Sequence, residues 1–236
     1  MSSKTGFETV AVIGRKDQVI EVFVFLFLIV PSMIFSFLAV KRGVLDFTTT
    51  AYATIMRDLA LVCLILYFLR RNQEPVKEIG WTAKGWQKEI ILGFLLYIPL
   101  LLSLPFIEEI LRRFGFSAPS TPLPAFLTAG SAGQMALAFI LVIVVAVAEE
   151  TVFRGYLILR FRSLTQNSYT AAFLSAVVFS LGHGYEGSAG VLTVGIMGFI
   201  LALIYLWRKS LIAPVIMHFL QDFINIVLLP LLGVTP

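Results

Sequence analysis

The sequence is poor in charge, in cysteine and in histidine. Only 14% of its 236 residues are charged while 58% are hydrophobic, and the mean hydropathy is +0.92. That balance excludes an ordinary soluble domain. The single cysteine, Cys63, excludes an intramolecular disulfide, and its apolar neighbours assign it to core packing. The net charge is +4, but the basic residues are scattered through short polar stretches and form no stripe, which argues against a nucleic-acid partner. No HExxH pair of histidines and no internal repeat is present. What is abundant is long apolar runs, several of which reach or approach the ~20 residues an α-helix needs to cross a bilayer core.

These runs predict an all-α, polytopic transmembrane helix bundle of about seven spans. Spans are expected near 20–40, 47–69 and 90–107, in the run that begins at 135, and near 168–183, 191–207 and 211–232. The chain divides into a polar leader (1–19), N-terminal spans (20–73) and a core (74–236) that holds the chemistry. The first apolar run is too long for a signal-peptide core and reads as a retained anchor. Residues 74–89 are too polar to cross, and Trp81 and Trp86 among lysines suit an amphipathic segment at headgroup level. A polar loop with Glu108, Glu109, Arg112, Arg113, Pro119, Pro122 and Pro124 is expected after the third span. With seven spans, one side collects twelve basic residues at the span edges, among them Arg70, Arg71, Lys84, Lys88, Arg160, Arg208 and Lys209, against four on the other (Lys41, Arg42, Arg112 and Arg113). The N-terminus is therefore expected in the cytoplasm.

Ionisable groups inside such spans are costly, roughly 2.5–3.5 kcal/mol each on insertion scales, and point to function. Residues 135–148 carry no polar side chain and run straight into Glu149, Glu150 and Arg154. Glu150 and Arg154 are four apart, acid first, and can neutralise each other across one helical turn. Glu149 is turned about 100° away from Glu150 and has no counter-ion on its own helix. Its face carries Val152, Phe153 and Tyr156, a setting suited to a general base acting on water. Both histidines lie in later spans: His183, one turn after Phe179, and His218, one turn before Asp222. At ~1.5 Å rise per residue, Glu149, His183 and His218 lie at depths of about 16, 22 and 15 Å from the expected cytoplasmic ends of their spans, close enough for one mid-membrane site. A second in-span pair, Arg57 and Asp58, is either self-neutralising or turned to the bundle interior.

EETVFR at 149–154, FSLGH at 179–183 and HFLQD at 218–222 match, in order and on separate helices, the EExxxR, FxxxH and HxxxN/D motifs of a known family. The chain resembles the CPBP (CAAX-processing and bacteriocin-processing, or Abi) intramembrane proteases, among them the type II CAAX prenyl endopeptidases, over about residues 74–230. The resemblance implies hydrolysis of a peptide bond in a membrane-associated protein or peptide, near its C-terminus, and a bacterial inner-membrane location. It implies that Glu149 activates water with His183 positioning it, and that His218 and Asp222 face the scissile carbonyl, Asp222 either orienting His218 or itself protonated. Glu150 and Arg154 would brace the helix and Phe179 would pack beneath His183. No cofactor is expected, with zinc at Glu149, His183 and His218 as the alternative, since the family has been interpreted both as metalloproteases and as glutamate-type enzymes. A proton-coupled transporter and a non-enzymatic immunity protein are the competing classes. Gly195, Gly198 and Ala202 form a small-residue stripe expected to serve close helix packing. The loop bearing Gly184, Gly187 and Glu186 is expected to be a plain connection.

Overall fold

A computed structural model describes residues 13–43, 45–117 and 127–234. The first part of the leader (1–12) and the prolines at 119, 122 and 124 lie outside the described residues. The remainder is helical: α1 (Arg15–Lys41), α2 (Phe47–Arg71), α3 (Trp86–Arg113), α4 (Ala132–Thr165), α5 (Ser168–Leu181), α6 (Gly187–Arg208) and α7 (Ile212–Leu231). There is no strand among the described residues. All but α5 are long and apolar enough to cross a membrane. The 14 residues of α5 span only about 21 Å at ~1.5 Å per residue, less than the ~30 Å hydrocarbon core.

Local chemistry starts several of these helices. Asp46, Ser131 and Asn167 cap α2, α4 and α5 by accepting from the backbone N–H of Thr49, Gln134 and, at α5, both Tyr169 and Thr170. The third span is longer than its hydropathy predicts. Glu109 pairs with Arg113 one turn later (3.0 Å), so the polar residues expected in a loop continue α3 instead.

In the bundle α2 runs along α4, α3 along α7 and α5 along α6. Two apolar clusters result. The larger joins Phe25, Phe68, Tyr97, Tyr156, Phe179 and Leu201, and the smaller joins Phe47, Ala51 and Ile55 of α2 with Leu141 and Val142 of α4 and Val227 of α7. On α2, α4 and α7 the intramembrane polar residues fall in the sequence between the two clusters: Arg57 and Asp58, Glu149 and Glu150, His218 and Asp222. Cys63 is an exception to its expected place in the core, being exposed on the outer face of α2. For a thiol behaving as a small hydrophobe, a lipid-facing position is equally compatible with burial of apolar area.

The segment before α3 is not an amphipathic surface helix along its length. Val76–Ile79 form one 3₁₀ turn, and Ile79 is completely buried against α4. Trp81, expected among headgroups, donates its indole N–H to Thr151 Oγ1 (3.0 Å), and only Trp86 is exposed. Gly155 makes this approach possible, since a Cβ there would lie 2.8 Å from the Ile79 carbonyl oxygen. Gly155→Val should therefore destabilise the fold by roughly 1–3 kcal/mol through overpacking. A thermal unfolding midpoint in detergent equal to wild type would contradict this packing.

Arg160 also departs from its expected position at the membrane edge. It is 2% exposed, donates Nε to Glu21 of α1 (2.8 Å), and forks both terminal nitrogens onto Glu74 (2.9 and 2.6 Å). Glu21 is further bonded by Tyr156 and Asn72. A bidentate arginine between two carboxylates is the arrangement that keeps buried charge tolerable. It ties α1 to the C-terminal part of α4.

Candidate active site

Glu149 marks the point at which α4 changes character. From Glu150 to Leu157 the helix widens into a π-helical stretch, all of whose residues are buried, before α-helix resumes at Ile158. Such segments are rare and frequent at functional sites because they re-aim side chains that a regular helix would hold apart.

Glu150 and Arg154 meet as their spacing predicts, with Arg154 Nη1 2.8 Å from Glu150 Oε1 and both side chains sealed from solvent. The pair does more than brace its own helix. The same Glu150 oxygen lies 2.8 Å from His218 Nδ1 on α7. The Arg154 guanidinium stacks 4.2 Å over the Phe179 ring of α5 and reaches the Gly198 carbonyl oxygen of α6 (3.4 Å). Gly198 is needed there, since a Cβ would come within 2.9 Å of Phe179. Gly198 of the small-residue stripe thus serves close packing, whereas a Cβ at Gly195 would make only ordinary contact with Ser180, at 3.4 Å. Phe179 lies beside both histidines, at ring-centroid distances of 5.0 Å from His183 and 5.8 Å from His218, rather than beneath His183 alone.

With Nδ1 engaged by Glu150, the His218 ring presents Nε2 to a cavity of about 190 Å³. Nε2 is 3.5 Å from Asp222 Oδ2 and 3.9 Å from Glu149 Oε2. Asp222 is expected either to orient His218 or to be itself protonated; the nearer partner of the ring is Glu150, which holds the opposite nitrogen. His183 lines the same cavity, with Nδ1 3.3 Å from the carbonyl oxygen of Phe179 on its own helix. Glu149, His183, His218 and Asp222 therefore share one cavity, and Glu149, His218 and Asp222 cluster around a single imidazole nitrogen.

Two further wall residues were visible in the sequence but not assigned to the site. Arg57 of α2 forms both halves of the expected pattern: it pairs with its neighbour Asp58 at 2.8 Å, and it turns inward to place Nη2 3.5 Å from Glu149 Oε1. Glu149 lacks a counter-ion only on its own helix. The available signal was the charge pair inside an apolar span. What the sequence could not supply was the rotation of α2.

Among the described residues no three His, Cys, Asp or Glu side chains come together as a metal-holding group. His218 Nδ1 is committed to Glu150, and Glu149 stands between a guanidinium and an imidazole. A carboxylate on Nδ1 leaves Nε2 able to ligate a metal, so zinc at Glu149, His183 and His218 stays the alternative to a cofactor-free site.

Residues 131–224 match the family model described as Rce1-like: Type II CAAX prenyl endopeptidase Rce1-like. The segment contains all three motifs and is consistent with the CPBP family. No curated protein and no solved structure matches the chain.

Proposed function

We propose that this chain, Rce1-like over residues 131–224, is an intramembrane endopeptidase of glutamate type that hydrolyses a peptide bond near the C-terminus of a membrane-associated protein or peptide. The observation that carries the reading is the convergence of Glu149, His218 and Asp222, from two helices, on the wall of one cavity. A lone ion pair would stabilise a bundle without a cavity, whereas hydrolysis needs a base, an oxyanion partner and space for a peptide bond.

Glu149 takes a proton from water as the water oxygen attacks the scissile carbonyl, and His183 on the same cavity wall positions that water. Glu150 accepts from His218 Nδ1–H and fixes the ring, and in the imidazolium form Nε2–H then donates to the oxygen where negative charge develops. Asp222 beside Nε2 keeps the ring in this orientation. Collapse of the tetrahedral intermediate breaks the C–N bond, and the proton held by Glu149 passes to the departing amine. In this reading the protein sits in a bacterial inner membrane with its N-terminus in the cytoplasm, supported by the excess of Arg and Lys on one side of the spans.

The test is cleavage of a membrane-protein library from the host by purified protein, read as new termini by mass spectrometry with and without a chelator. Termini that are made by wild type, lost in Glu149→Ala and insensitive to chelator are expected. Cleavage abolished by chelator and restored by zinc alone would replace this mechanism with a metalloprotease, and absence of any Glu149-dependent terminus would remove the protease reading.

A further inference from the structure

The pair Arg57 and Asp58 lies on α2, outside the segment that matches the family model, and the three motifs leave it without a task. Its geometry is unusual for neighbours on a helix, which point about 100° apart. Arg57 nevertheless folds back so that Nε and Nη2 both lie 2.8 Å from the same Asp58 oxygen. Asp58 is 2% exposed, and its second carboxylate oxygen has no hydrogen-bond partner. The guanidinium bound to it remains partly open to the cavity and extends Nη2 to Glu149 Oε1 at 3.5 Å. Glu149 thus has one oxygen toward Arg57 and the other toward His218 Nε2.

We infer that Arg57 is a positioning residue for Glu149 and that Asp58 tethers it. This rests on the protease reading of the same cavity. The distances carry the argument. A carboxylate locked in a tight, direct arginine pair makes a poor base, because its lone pairs are committed and its charge is neutralised. A carboxylate with no cation nearby would face Asp58 and Asp222 as like charges. Asp58 takes the short contacts and leaves Arg57 the longer one, so Glu149 is oriented yet keeps an oxygen for water. An intramembrane ion pair placed where it touches the proposed base is more than a means of neutralising two stray charges.

The experiment uses one peptide cut by the wild type and compares wild type, Glu149→Ala, Arg57→Gln, Arg57→Lys and the double variant Arg57→Gln with Asp58→Asn, each purified in folded form. Arg57→Gln should lose about tenfold or more in kcat with KM unchanged, less than the roughly 10²–10⁴-fold that a general base supplies. Arg57→Lys should recover part of that loss, and the double variant should stay as slow as Arg57→Gln. If Arg57 served only to neutralise Asp58, the double variant, which leaves no orphaned carboxylate, would regain wild-type kcat and overturn the inference. Wild-type kcat in Arg57→Gln would overturn it equally. Should Arg57→Gln fail to fold, the double variant decides alone. A wild type that makes no Glu149-dependent cut overturns the protease reading and this inference with it, and that outcome is visible in the first two samples.

Discussion

Replacing Glu149 with alanine is expected to lower kcat by about 10²–10⁴-fold, the contribution of a positioned general base, while leaving the fold intact. Glu149 differs in this from Glu150. Its side chain is 15% exposed to the cavity and its contacts to Arg57 and His218 are long, 3.5 and 3.9 Å, so its loss orphans no short buried bond. Glu149→Gln refines the result. The amide keeps the volume and can still bond to neighbours, but it accepts no proton from water. A Gln variant as slow as the Ala variant, with an unchanged melting temperature, identifies proton transfer as what was lost. A Gln variant with wild-type kcat would mean that Glu149 acts only as packing or as a polar contact, and the base would have to be sought in Asp222 or His218.

Arg154→Met should act in the opposite manner, through the fold. Arg154 is 1% exposed and joins three helices by its ion pair to Glu150, its stacking on Phe179 and its bond to the Gly198 carbonyl. Methionine fills similar volume but leaves Glu150, with no exposed surface, held only by His218. Breaking one side of a buried pair costs about 3–5 kcal/mol in soluble proteins. In a bilayer the unfolded reference finds partners of its own, and the loss is expected near the lower end of that range. The measurement is the unfolding midpoint in detergent, with cleavage rate recorded in parallel. Glu150→Gln combined with Arg154→Met should recover part of the stability, since no buried charge is then orphaned. It should not recover activity, because His218 Nδ1 has lost its carboxylate. A double variant as unstable as Arg154→Met alone would show that stacking and the Gly198 contact, rather than the ion pair, hold the three helices.

Much of the bundle was legible without coordinates. Apolar runs located the seven helices found among the described residues, because hydropathy is a local property read one segment at a time. The i,i+4 spacing paired Glu150 with Arg154 for the same reason. Misplaced features fall where a segment's fate depends on another segment. Trp81 looked like a headgroup anchor because its indole partner, Thr151, is far away in the chain. Arg160 looked like an edge residue because Glu21 and Glu74, which enclose it, come from α1 and the turn after α2. Polar Glu109 and Arg113 suggested a loop, yet their mutual pairing lets the helix run on past the apolar stretch.

The candidate site divides along the same line. Sequence alone determined which residues are ionisable within apolar runs, their order, and that Glu149, His183 and His218 can lie at similar depth. Only the tertiary structure decided that Glu150 holds His218 across 68 residues of sequence, that Phe179 serves both histidines and Arg154, and that α2 turns Arg57 toward Glu149. The reason is physical. Insertion of each span depends on its own transfer free energy. The rotation of one span against the next has no hydrophobic driving force in lipid and is set by close packing at small residues and by polar groups that find partners only on other helices.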